Sequence, residues 1–341
     1  MGEVKNKTFN NHLQNSPKII KKYLTYIVAI EGKSTKTAQG YYYDLIRFFT
    51  YMYSIRFPMP VYGDEDFDTF DITKQLQEKI TGDFVQTVTK EDVLSYLYHL
   101  KSDLKNKEKT RNRRLSAVKQ FYRYCEDILN IVPINPTANI GNAKEKKSIP
   151  KYLTLDESIR LLDCYSSKTA YERDYLILTL FLNCALRLSE LVSIDIKNIK
   201  DDTVRILGKG SKERIVHLNK ACLEAYDKYM QWRFCLPIKI KDEEALFVSS
   251  TTGTRLSPRM VEKIVENALK QAGLDNQGYS PHKLRHTAAT LMYQHGGVDV
   301  RVLKDVLGHE NLNTTQIYTH TNNKQVQEAF DKNPLADKGD Y

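Results

Sequence analysis

The chain has 341 residues, with 51 Lys and Arg against 42 Asp and Glu, so its formal net charge is +9 at neutral pH. This length allows two domains of ordinary size, each with its own hydrophobic core. The positive charge favours a polyanionic partner, because basic side chains that neutralise phosphates release condensed counterions.

The five cysteines are odd in number, scattered along the chain, and never spaced as C-x-x-C. This pattern argues against a disulfide framework and against a zinc site, so we expect a reducing cytoplasmic environment and no bound metal. The longest apolar run near the N-terminus covers residues 23–30. It is much shorter than the about 20 residues needed to cross a bilayer, so we expect no membrane partner.

The N-terminal third of the chain shows helical periodicity, with apolar residues at spacings of three and four. The periodic segments are residues 17–30, 34–54, 89–104 and 110–128. Together they predict a four-helix domain over residues 17–132. Ser34, Thr89 and Thr110 are the predicted N-caps, because a hydroxyl can accept from the first free backbone N–H groups of a helix.

Two segments interrupt this pattern. Residues 57–83 break the helical rhythm and contain an acidic run at 64–66, which predicts a solvated insertion. Residues 133–151 contain three prolines and a basic run. Because prolines stop helices and small polar residues offer no face to bury, this stretch is the predicted interdomain linker.

The remaining residues predict a second domain over 152–322, mainly helical with a small antiparallel sheet. Thr154 and Glu157 form the sequence pattern of a capping box. An apolar helix follows at 171–185. Val- and Ile-rich alternation predicts strands at 203–207 and 213–218, joined by a hairpin loop that carries two lysines.

Weaker signals complete this second domain. Residues 245–249 are a candidate short strand. Ser257-Pro258 and Ser280-Pro281 are typical of helix starts, with proline at the first helical position. Gly273, Gly296 and Gly308 lie where C-terminal caps are expected.

Five residues far apart in the chain have the chemistry needed to handle a phosphodiester. They are Arg187, His282, Arg285, His309 and Tyr318. Arginines can neutralise a phosphate, a tyrosine can attack it, and imidazoles can move protons. His282 and Arg285 are three residues apart, so they share one helix face.

Each of these residues also has an ordinary structural explanation when it is considered alone. Arg187 has Glu190 three residues on and can form a simple ion pair with it. His282 and Arg285 can be a surface pair, and His309 a structural histidine. Tyr318 is one of 22 tyrosines, most of which are expected to pack in a core.

In combination, the motifs resemble those of the tyrosine recombinase (phage integrase) family, and its Xer-type members in particular. They are A-L-R-L-S-E-L at 185–191, G-K-G-S-K-E-R at 208–214, H-K-L-R-H at 282–286, L-G-H at 307–309 and the tyrosine at 318. Segments around Tyr41-x-x-Asp44 and Arg114-Leu115-Ser116-Ala117 are similar to the family's SAM-like core-binding domain. Ala185 departs from the family, which usually has glycine there.

The resemblance implies a site-specific recombinase that cuts and rejoins DNA through a 3′-phosphotyrosine and a Holliday junction. The implied catalytic residues are Arg187, Lys209, His282, Arg285, His309 and Tyr318. Tyr318 would be the nucleophile, the two arginines the phosphate clamp, His282 the acceptor of the phenol proton, and His309 a phosphate ligand. Lys209 would be the general acid, with Lys212 as a second candidate. No cofactor and no metal are implied.

The expected partners are double-stranded DNA and further copies of the chain. Arg111, Arg113, Arg114 and Lys212 are the predicted DNA-binding residues, although a basic helix face can also be merely solvated. The tail at 323–341 carries a short apolar stripe. By the resemblance it packs on a neighbouring protomer in a tetramer on two DNA sites, the alternative being its own chain.

Two other functions share these residues or this fold. A type IB topoisomerase would use the same chemistry as a monomer, and a non-catalytic DNA-binding protein would keep the fold without the reaction. About sixteen residues precede the first predicted helix, so we expect no separate arm-site-binding domain. The sequence leaves open chromosome-dimer resolution or mobile-element integration, the target site, and a second recombinase or accessory protein.

Overall fold

The computed structural model describes residues 13–57, 74–145, 151–164, 170–208 and 213–308. The chain divides into two compact units between Lys147 and Ser148, inside the predicted linker. Each unit has its own hydrophobic core. Within the described ranges, no helix combines the length and the hydropathy needed to span a bilayer.

The described part of the first unit is helical. Its helices are α1 (Lys18–Ala29), α2 (Thr35–Ser54), α3 (Gly82–Gln86), α4 (Lys90–Ser102) and α5 (Glu108–Asp127). The four long helices confirm the four periodic segments. Their core is rich in aromatic rings, with Tyr23 edge-on to Phe121 at 5.5 Å and Phe48 edge-on to Tyr96 at 5.1 Å. Such pairs stabilise a core by about 0.5–1.5 kcal/mol beyond the area that they bury.

Two of the three predicted N-caps in this unit are confirmed. Ser34 Oγ accepts from the backbone N of Thr37 at 3.2 Å, and Thr89 forms a reciprocal capping box with Asp92. The prediction for Thr110 is wrong, because α5 begins earlier, at Glu108. A carboxylate in the first turn favours this start, since it interacts well with the positive end of the helix dipole.

Part of the predicted solvated insertion belongs to the core. Leu76 and Ile80 are 0% and 2% exposed and pack in the same cluster as Val85 of α3. The prediction is therefore wrong for Leu76 and Ile80, which pack in the core, whereas residues 74, 75, 78, 79, 81 and 83 are exposed. The acidic run at 64–66 lies outside the described residues.

The described part of the predicted linker, residues 133–145, follows the surface of the first unit. Ile140 is buried in the core, and its carbonyl oxygen accepts a hydrogen bond from Lys119 Nζ. Asn112 of α5 holds Ala143 at both backbone groups, donating to its oxygen at 3.0 Å and accepting from its nitrogen at 2.8 Å. Specific hydrogen bonds therefore bind this segment to α5.

In its described part, the second unit combines helices with one small sheet. The helices are α6 (Leu155–Cys164), α7 (Tyr171–Cys184), α8 (Leu188–Val192), α9 (Lys220–Phe234), α10 (Pro258–Gln271), α11 (Pro281–Gln294) and α12 (Val300–Leu307). The strands are β1 (Ile199–Lys200), β2 (Thr203–Leu207) and β3 (Glu213–His217). The apolar helix α7 lies at the centre, because both α9 and α11 pack against it.

The sheet is antiparallel, in the order β1-β2-β3. β2 and β3 confirm the two predicted strands, with Val204 opposite Val216 and Leu207 opposite Glu213. The candidate strand at 245–249 is wrong. That segment forms only two isolated bridges, from Ala245 to Asp195 and from Val248 to Arg255.

Helix ends in this unit agree with most of the sequence signals. Thr154 and Glu157 exchange both hydrogen bonds of the capping box, and Ser257 Oγ accepts from the start of α10. Gly308 caps α12 in the left-handed conformation. At the end of α11 the left-handed residue is Gly297 rather than the predicted Gly296. The backbone N of Gly296 still donates to the carbonyl oxygen of Leu291 at 3.3 Å, so the left-handed residue comes one position later.

Candidate active site

Arg187 stands just after the tight turn that ends α7. Ala185 takes a φ of 51°, in the left-handed region, where a Cβ costs roughly 1–2 kcal/mol. Its side chain is completely buried in a small cluster with residues of α11 and α12, including Ala288 and Leu307. This packing holds the turn in place. Arg187 then occupies the N-cap position of α8, so its backbone is fixed at a helix terminus.

Glu190, in α8, is a buried carboxylate surrounded by arginines. Its Oε1 accepts from Arg187 Nη1 at 2.6 Å and from Arg214 Nη1 at 2.8 Å. Its Oε2 accepts from Arg214 Nη2 at 2.8 Å and from the backbone N of Arg187 at 2.7 Å. Burial alone raises the pKa of this carboxyl, but the hydrogen bonds from Arg214 and Arg187 outweigh burial and lower the pKa to about 2. Glu190 is therefore ionised at neutral pH.

Arg285 of α11 reaches the same carboxylate from another direction. Its Nη1 lies 3.6 Å from Glu190 Oε2 and donates to the carbonyl oxygen of Ala185 at 2.6 Å. Its Nη2 donates to the carbonyl oxygen of Leu307 at 2.5 Å. The guanidinium is thus anchored both to the turn before Arg187 and to the last residue of α12.

Arg187 also contacts the residue that caps α12. Its Nη2 donates to the carbonyl oxygen of Gly308 at 3.0 Å. The four motif segments at 185–191, 208–214, 282–286 and 307–309 therefore each contribute at least one residue to this cluster. The alternative of a simple Arg187–Glu190 ion pair describes only one of its contacts.

His282 faces a second histidine one turn further along α11. The Nε2 atoms of His282 and His286 are 2.9 Å apart, and the rings are nearly perpendicular. A hydrogen bond between two ring nitrogens needs one donor and one acceptor, so at least one of the two imidazoles is neutral while this contact is formed. A neutral imidazole is the form that can accept a proton.

The cluster has the charge required to bind a phosphate. Three guanidinium groups surround one carboxylate, which leaves a net charge of +2. Guanidinium groups bind phosphate oxygens through charge-assisted, often bidentate hydrogen bonds. Because this charge is held in place before any substrate binds, it can stabilise negative charge that develops in a transition state.

Sequence models of two protein families match the chain. "Phage integrase family" matches residues 151–325, slightly more than half of the chain, and "Phage integrase, N-terminal SAM-like domain" matches residues 71–127. The chain belongs to the phage integrase family. This confirms the resemblance that the motifs indicated, and it confirms the predicted fold class, with a SAM-like N-terminal domain and a C-terminal integrase catalytic domain.

Similar proteins cover nearly the whole of this integrase. A tyrosine recombinase XerC of Caldanaerobacter subterraneus subsp. tengcongensis is 40% identical over 321 residues, 94% of this chain and 88% of the relative. Another XerC, of Thermodesulfovibrio yellowstonii, is 32% identical over 335 residues, 96% and 100% of the two chains. A crystal structure of a lambda integrase tetramer bound to a Holliday junction has a similar fold, with a TM-score of 0.60, 19% identity, and coverage of 87% and 79%. The chain is thus a Xer-like site-specific tyrosine recombinase.

Four predicted site residues of this recombinase lie outside the described residues. They are Lys209, Lys212, His309 and Tyr318, and the predicted tail at 323–341 also lies there. Their neighbours in the chain are described. Leu207 and Glu213, which flank the lysine loop, are paired across β2 and β3, and Gly308, directly before His309, is hydrogen-bonded to Arg187.

The predicted DNA-binding arginines lie in the first turns of α5. Arg113 is 54% exposed and pairs with Asp44 of α2, and Arg111 is 14% exposed and lies 3.5 Å from Glu108. Arg114 is buried. The pairing of Arg113 with Asp44 joins the two N-terminal motif segments in space.

Sequence reasoning gave no role to Arg214 and His286, and it treated Glu190 only as a partner for an ordinary ion pair. A signal for Arg214 was present. In β3 it shares the inward-facing side with Val216, and a charged residue at such a position needs a buried partner. His286 follows His282 by four residues, which places both on one helix face.

Proposed function

We propose that this recombinase cleaves DNA by attack of Tyr318 on the scissile phosphate. The bond from the Tyr318 phenolic oxygen to phosphorus forms, the bond from phosphorus to the 5′ oxygen breaks, and a 3′-phosphotyrosine and a 5′-hydroxyl result. The observation that supports this best is the joining of Arg187 and Arg285 to one buried carboxylate, Glu190. Such a cluster is a prebuilt binding site for one phosphate.

The two arginines bind the non-bridging oxygens of that phosphate. Negative charge on these oxygens increases as the phosphorus becomes pentacoordinate, so the arginines stabilise the transition state more than the ground state. Arg285 has its backbone-carbonyl contacts at Ala185 and Leu307 already in place. These contacts fix the position of the guanidinium, but Arg285 is only 3% exposed, so its guanidinium must become more accessible when DNA binds.

Proton transfer involves His282 and the lysine loop. A phenol with an ordinary pKa near 10 is ionised to only about one part in a thousand at neutral pH, so its attack requires a base. In the proposal His282 accepts this proton, while Lys209 gives a proton to the departing 5′ oxygen. Lys212 is the second candidate for this acid. His309 donates a hydrogen bond to the phosphate.

Rejoining is the reverse reaction with a 5′-hydroxyl of the partner duplex. The phosphotyrosine keeps the energy of the broken ester, so no cofactor and no metal enter the scheme. Two rounds of exchange on two duplexes pass through a Holliday junction. We propose that four copies of the chain carry out this exchange, as in the lambda integrase tetramer described above, with the tail at 323–341 packed on a neighbouring protomer.

DNA contacts by the first unit form a separate part of the proposal. Arg111 and Arg113 lie in the first turns of α5, and both keep some exposed surface. Phosphate contacts by these side chains would position the duplex without reading its sequence. Arg114 is buried, so any contact it makes requires a change of its side chain. Lys212 would contribute from the loop between β2 and β3.

The proposal also covers the cellular compartment and the biological role. All cysteines whose side chains the structure describes are free thiols, which fits a reducing cytoplasm. The named relatives are XerC recombinases, whereas the similar fold is that of lambda integrase. Chromosome-dimer resolution and mobile-element integration therefore both remain candidate roles, as does the use of a second recombinase or accessory protein.

A nicked suicide substrate tests the reaction. The short fragment next to the nick diffuses away after cleavage, so the covalent adduct accumulates and is resolved by denaturing electrophoresis. We expect adducts with the wild type, and DNA binding without adducts for Tyr318→Phe. Tyr98→Phe is the matched control, because it removes the same hydroxyl from a tyrosine that is 70% exposed in the first unit. It is expected to form adducts like the wild type.

Other outcomes would support other functions. Adducts formed by Tyr318→Phe would exclude Tyr318 as the nucleophile. If the wild type forms no adduct under any condition, the chain is a DNA-binding protein on the integrase fold. Relaxation of supercoiled DNA that lacks recombination sites would favour a type IB topoisomerase.

A further inference from the structure

Arg214 has no assigned part in the proposed reaction, yet its side chain binds both carboxylate oxygens of Glu190. Both of its Nη atoms donate to the carboxylate, each at 2.8 Å to a different oxygen. This is the bidentate geometry that an arginine alone can offer. The side chain of Arg214 is only 15% exposed and that of Glu190 only 2%, so solvent screens the pair weakly.

Arg214 also lies against the residue that precedes His309. A Cβ built on Gly308 would be 3.4 Å from both Cδ and Nη1 of Arg214. The same glycine accepts a hydrogen bond from Arg187. Arg214 thus lies between β3, the carboxylate of α8 and the C-terminal cap of α12.

The charge balance of the cluster depends on Arg214. Glu190 is ionised, and its negative charge attracts Arg187 and Arg285 as well as Arg214. Without Arg214, one carboxylate would face two guanidinium groups, and the net charge would fall from +2 to +1. The carboxylate would then compete with the scissile phosphate for the remaining arginines.

We propose that Arg214 is a positioning residue that neutralises Glu190, so that the charges of Arg187 and Arg285 are available to the scissile phosphate. It acts through Glu190 and does not touch the phosphate. The inference rests on the proposed phosphate clamp, and it deepens that function by giving the clamp a counter-charge. Arg214 lies in β3 next to Glu213, which pairs with Leu207 across the two strands.

Two substitutions separate the charge of Arg214 from its geometry. Arg214→Gln removes the charge, and Arg214→Lys keeps it but loses the bidentate contact. Arg205→Gln is the matched control: it removes one arginine from the neighbouring strand, where Arg205 is 58% exposed and lies 3.7 Å from Glu213. Single-turnover cleavage of a suicide substrate at saturating protein is the measurement. We expect Arg214→Gln to slow cleavage by about tenfold to a hundredfold, Arg214→Lys to slow it less, and Arg205→Gln to stay within about twofold of the wild type.

A methylphosphonate at the scissile position distinguishes charge neutralisation from a general structural defect. Replacing one non-bridging oxygen by a methyl group removes the negative charge that the clamp must balance. If Arg214 acts on that charge, the wild-type to Arg214→Gln rate ratio falls to about threefold or less on this substrate. A defect in folding or in DNA binding leaves the ratio as it is on the ordinary phosphodiester, and that result would overturn the inference.

A double substitution covers the case in which Arg214→Gln folds poorly because it leaves Glu190 with fewer partners. Glu190→Gln combined with Arg214→Gln removes both charges and leaves the two remaining arginines with a net charge of +2. We expect it to cleave at least about fivefold faster than Arg214→Gln alone. A double variant no faster than Arg214→Gln contradicts a neutralising role.

The same assays separate this inference from the proposed function. Adducts formed by the wild type and absent from Tyr318→Phe uphold the proposed function whatever Arg214 does. If Arg214→Gln then cleaves at the wild-type rate, the inference alone is wrong. If the wild type forms no adduct, the proposed function is wrong, and the role proposed for Arg214 is wrong as well.

Discussion

Arg187 donates from Nη2 to the carbonyl oxygen of Gly308 at 3.0 Å, which ties the arginine at the start of α8 to the cap of α12. Gly308 has a φ of 58°, a conformation that glycine adopts without strain. The next residue in the chain is His309. The backbone that leads to this histidine is therefore held by Arg187, an arginine of the proposed phosphate clamp.

The cap at Gly308 predicts a functional difference between two glycines. Gly308→Ala and Gly273→Ala both place a Cβ at a positive φ, which costs roughly 1–2 kcal/mol in each case. The Cβ at position 273 meets nothing within 4 Å, whereas the one at 308 meets Arg214 at 3.4 Å. We expect similar losses of unfolding free energy in urea, but slower adduct formation only for Gly308→Ala. Equal cleavage rates for the two variants would contradict a link between this cap and the site.

The low pKa of Glu190 predicts how the stability of the protein changes in acid. Its pKa is lowered from 4.5 to about 2 in the folded chain, so its stabilisation is present above pH 4.5 and is lost as the pH falls towards 2. The shift corresponds to roughly 3 kcal/mol. Urea unfolding of the wild type at several pH values should therefore show a steeper acid loss than Glu190→Gln.

Glu262→Gln is the control for this acid dependence, because Glu262 is an exposed carboxylate 3.2 Å from Arg259. Its acid loss should match that of the wild type. If the Glu190→Gln protein loses stability between pH 4.5 and 2 as steeply as the wild type, the low pKa of Glu190 is wrong.

A buried hydroxyl beside the site predicts a stability effect without a catalytic one. Thr287 Oγ1 accepts from the backbone N of Leu153 at 2.9 Å, and Thr287 is 0% exposed. Thr287→Val keeps the shape but leaves this N–H buried without a partner, at a cost of about 1–3 kcal/mol. Thr287→Ser keeps the hydroxyl and should cost less. Thermal unfolding distinguishes them, and a Val variant as stable as the Ser variant would argue against this hydrogen bond.

The contacts of Arg285 predict that lysine is a poor replacement at this position. Its two Nη atoms reach the carbonyl oxygens of Ala185 and Leu307 at once, which one ammonium group does not reproduce. We expect Arg285→Lys to slow adduct formation by about a hundredfold or more. Arg233→Lys is the control, since Arg233 is also buried and donates to two backbone carbonyl oxygens, those of Glu243 and Ala245. This control should lower the melting temperature, while the folded protein still forms adducts. If it forms adducts more slowly than Arg285→Lys, the role proposed for Arg285 is contradicted.

Much of the fold could be predicted because the spacing of apolar residues and the capping of helix ends depend on residues close together in sequence. The spacing of apolar residues located the long helices, and β2 and β3 followed from alternation. The errors arose where tertiary packing decided the outcome. Leu76 and Ile80 are buried by neighbours that no local pattern reveals, and residues 245–249 lack a strand partner beyond two isolated bridges.

The site could be predicted only as a set of residue types. The motifs gave Arg187, His282 and Arg285 as candidates, and in the structure the two arginines lie at one carboxylate, Glu190. The counter-charge between them was not predictable, because contacts of Glu190 with Arg214 and Arg285 join residues far apart in sequence. The carbonyl anchors of Arg285 were also hidden, since every residue has a carbonyl group and its use depends on the fold.

Peptide mapping of the trapped adduct tests the central claim most directly. Trypsin releases residues 305–324, a peptide with one tyrosine, Tyr318. After cleavage of a suicide substrate and nuclease digestion, mass spectrometry should find a 3′-linked nucleotide on Tyr318 of this peptide. A nucleotide on any other residue, or an unmodified 305–324 peptide in a trapped complex, would contradict the account.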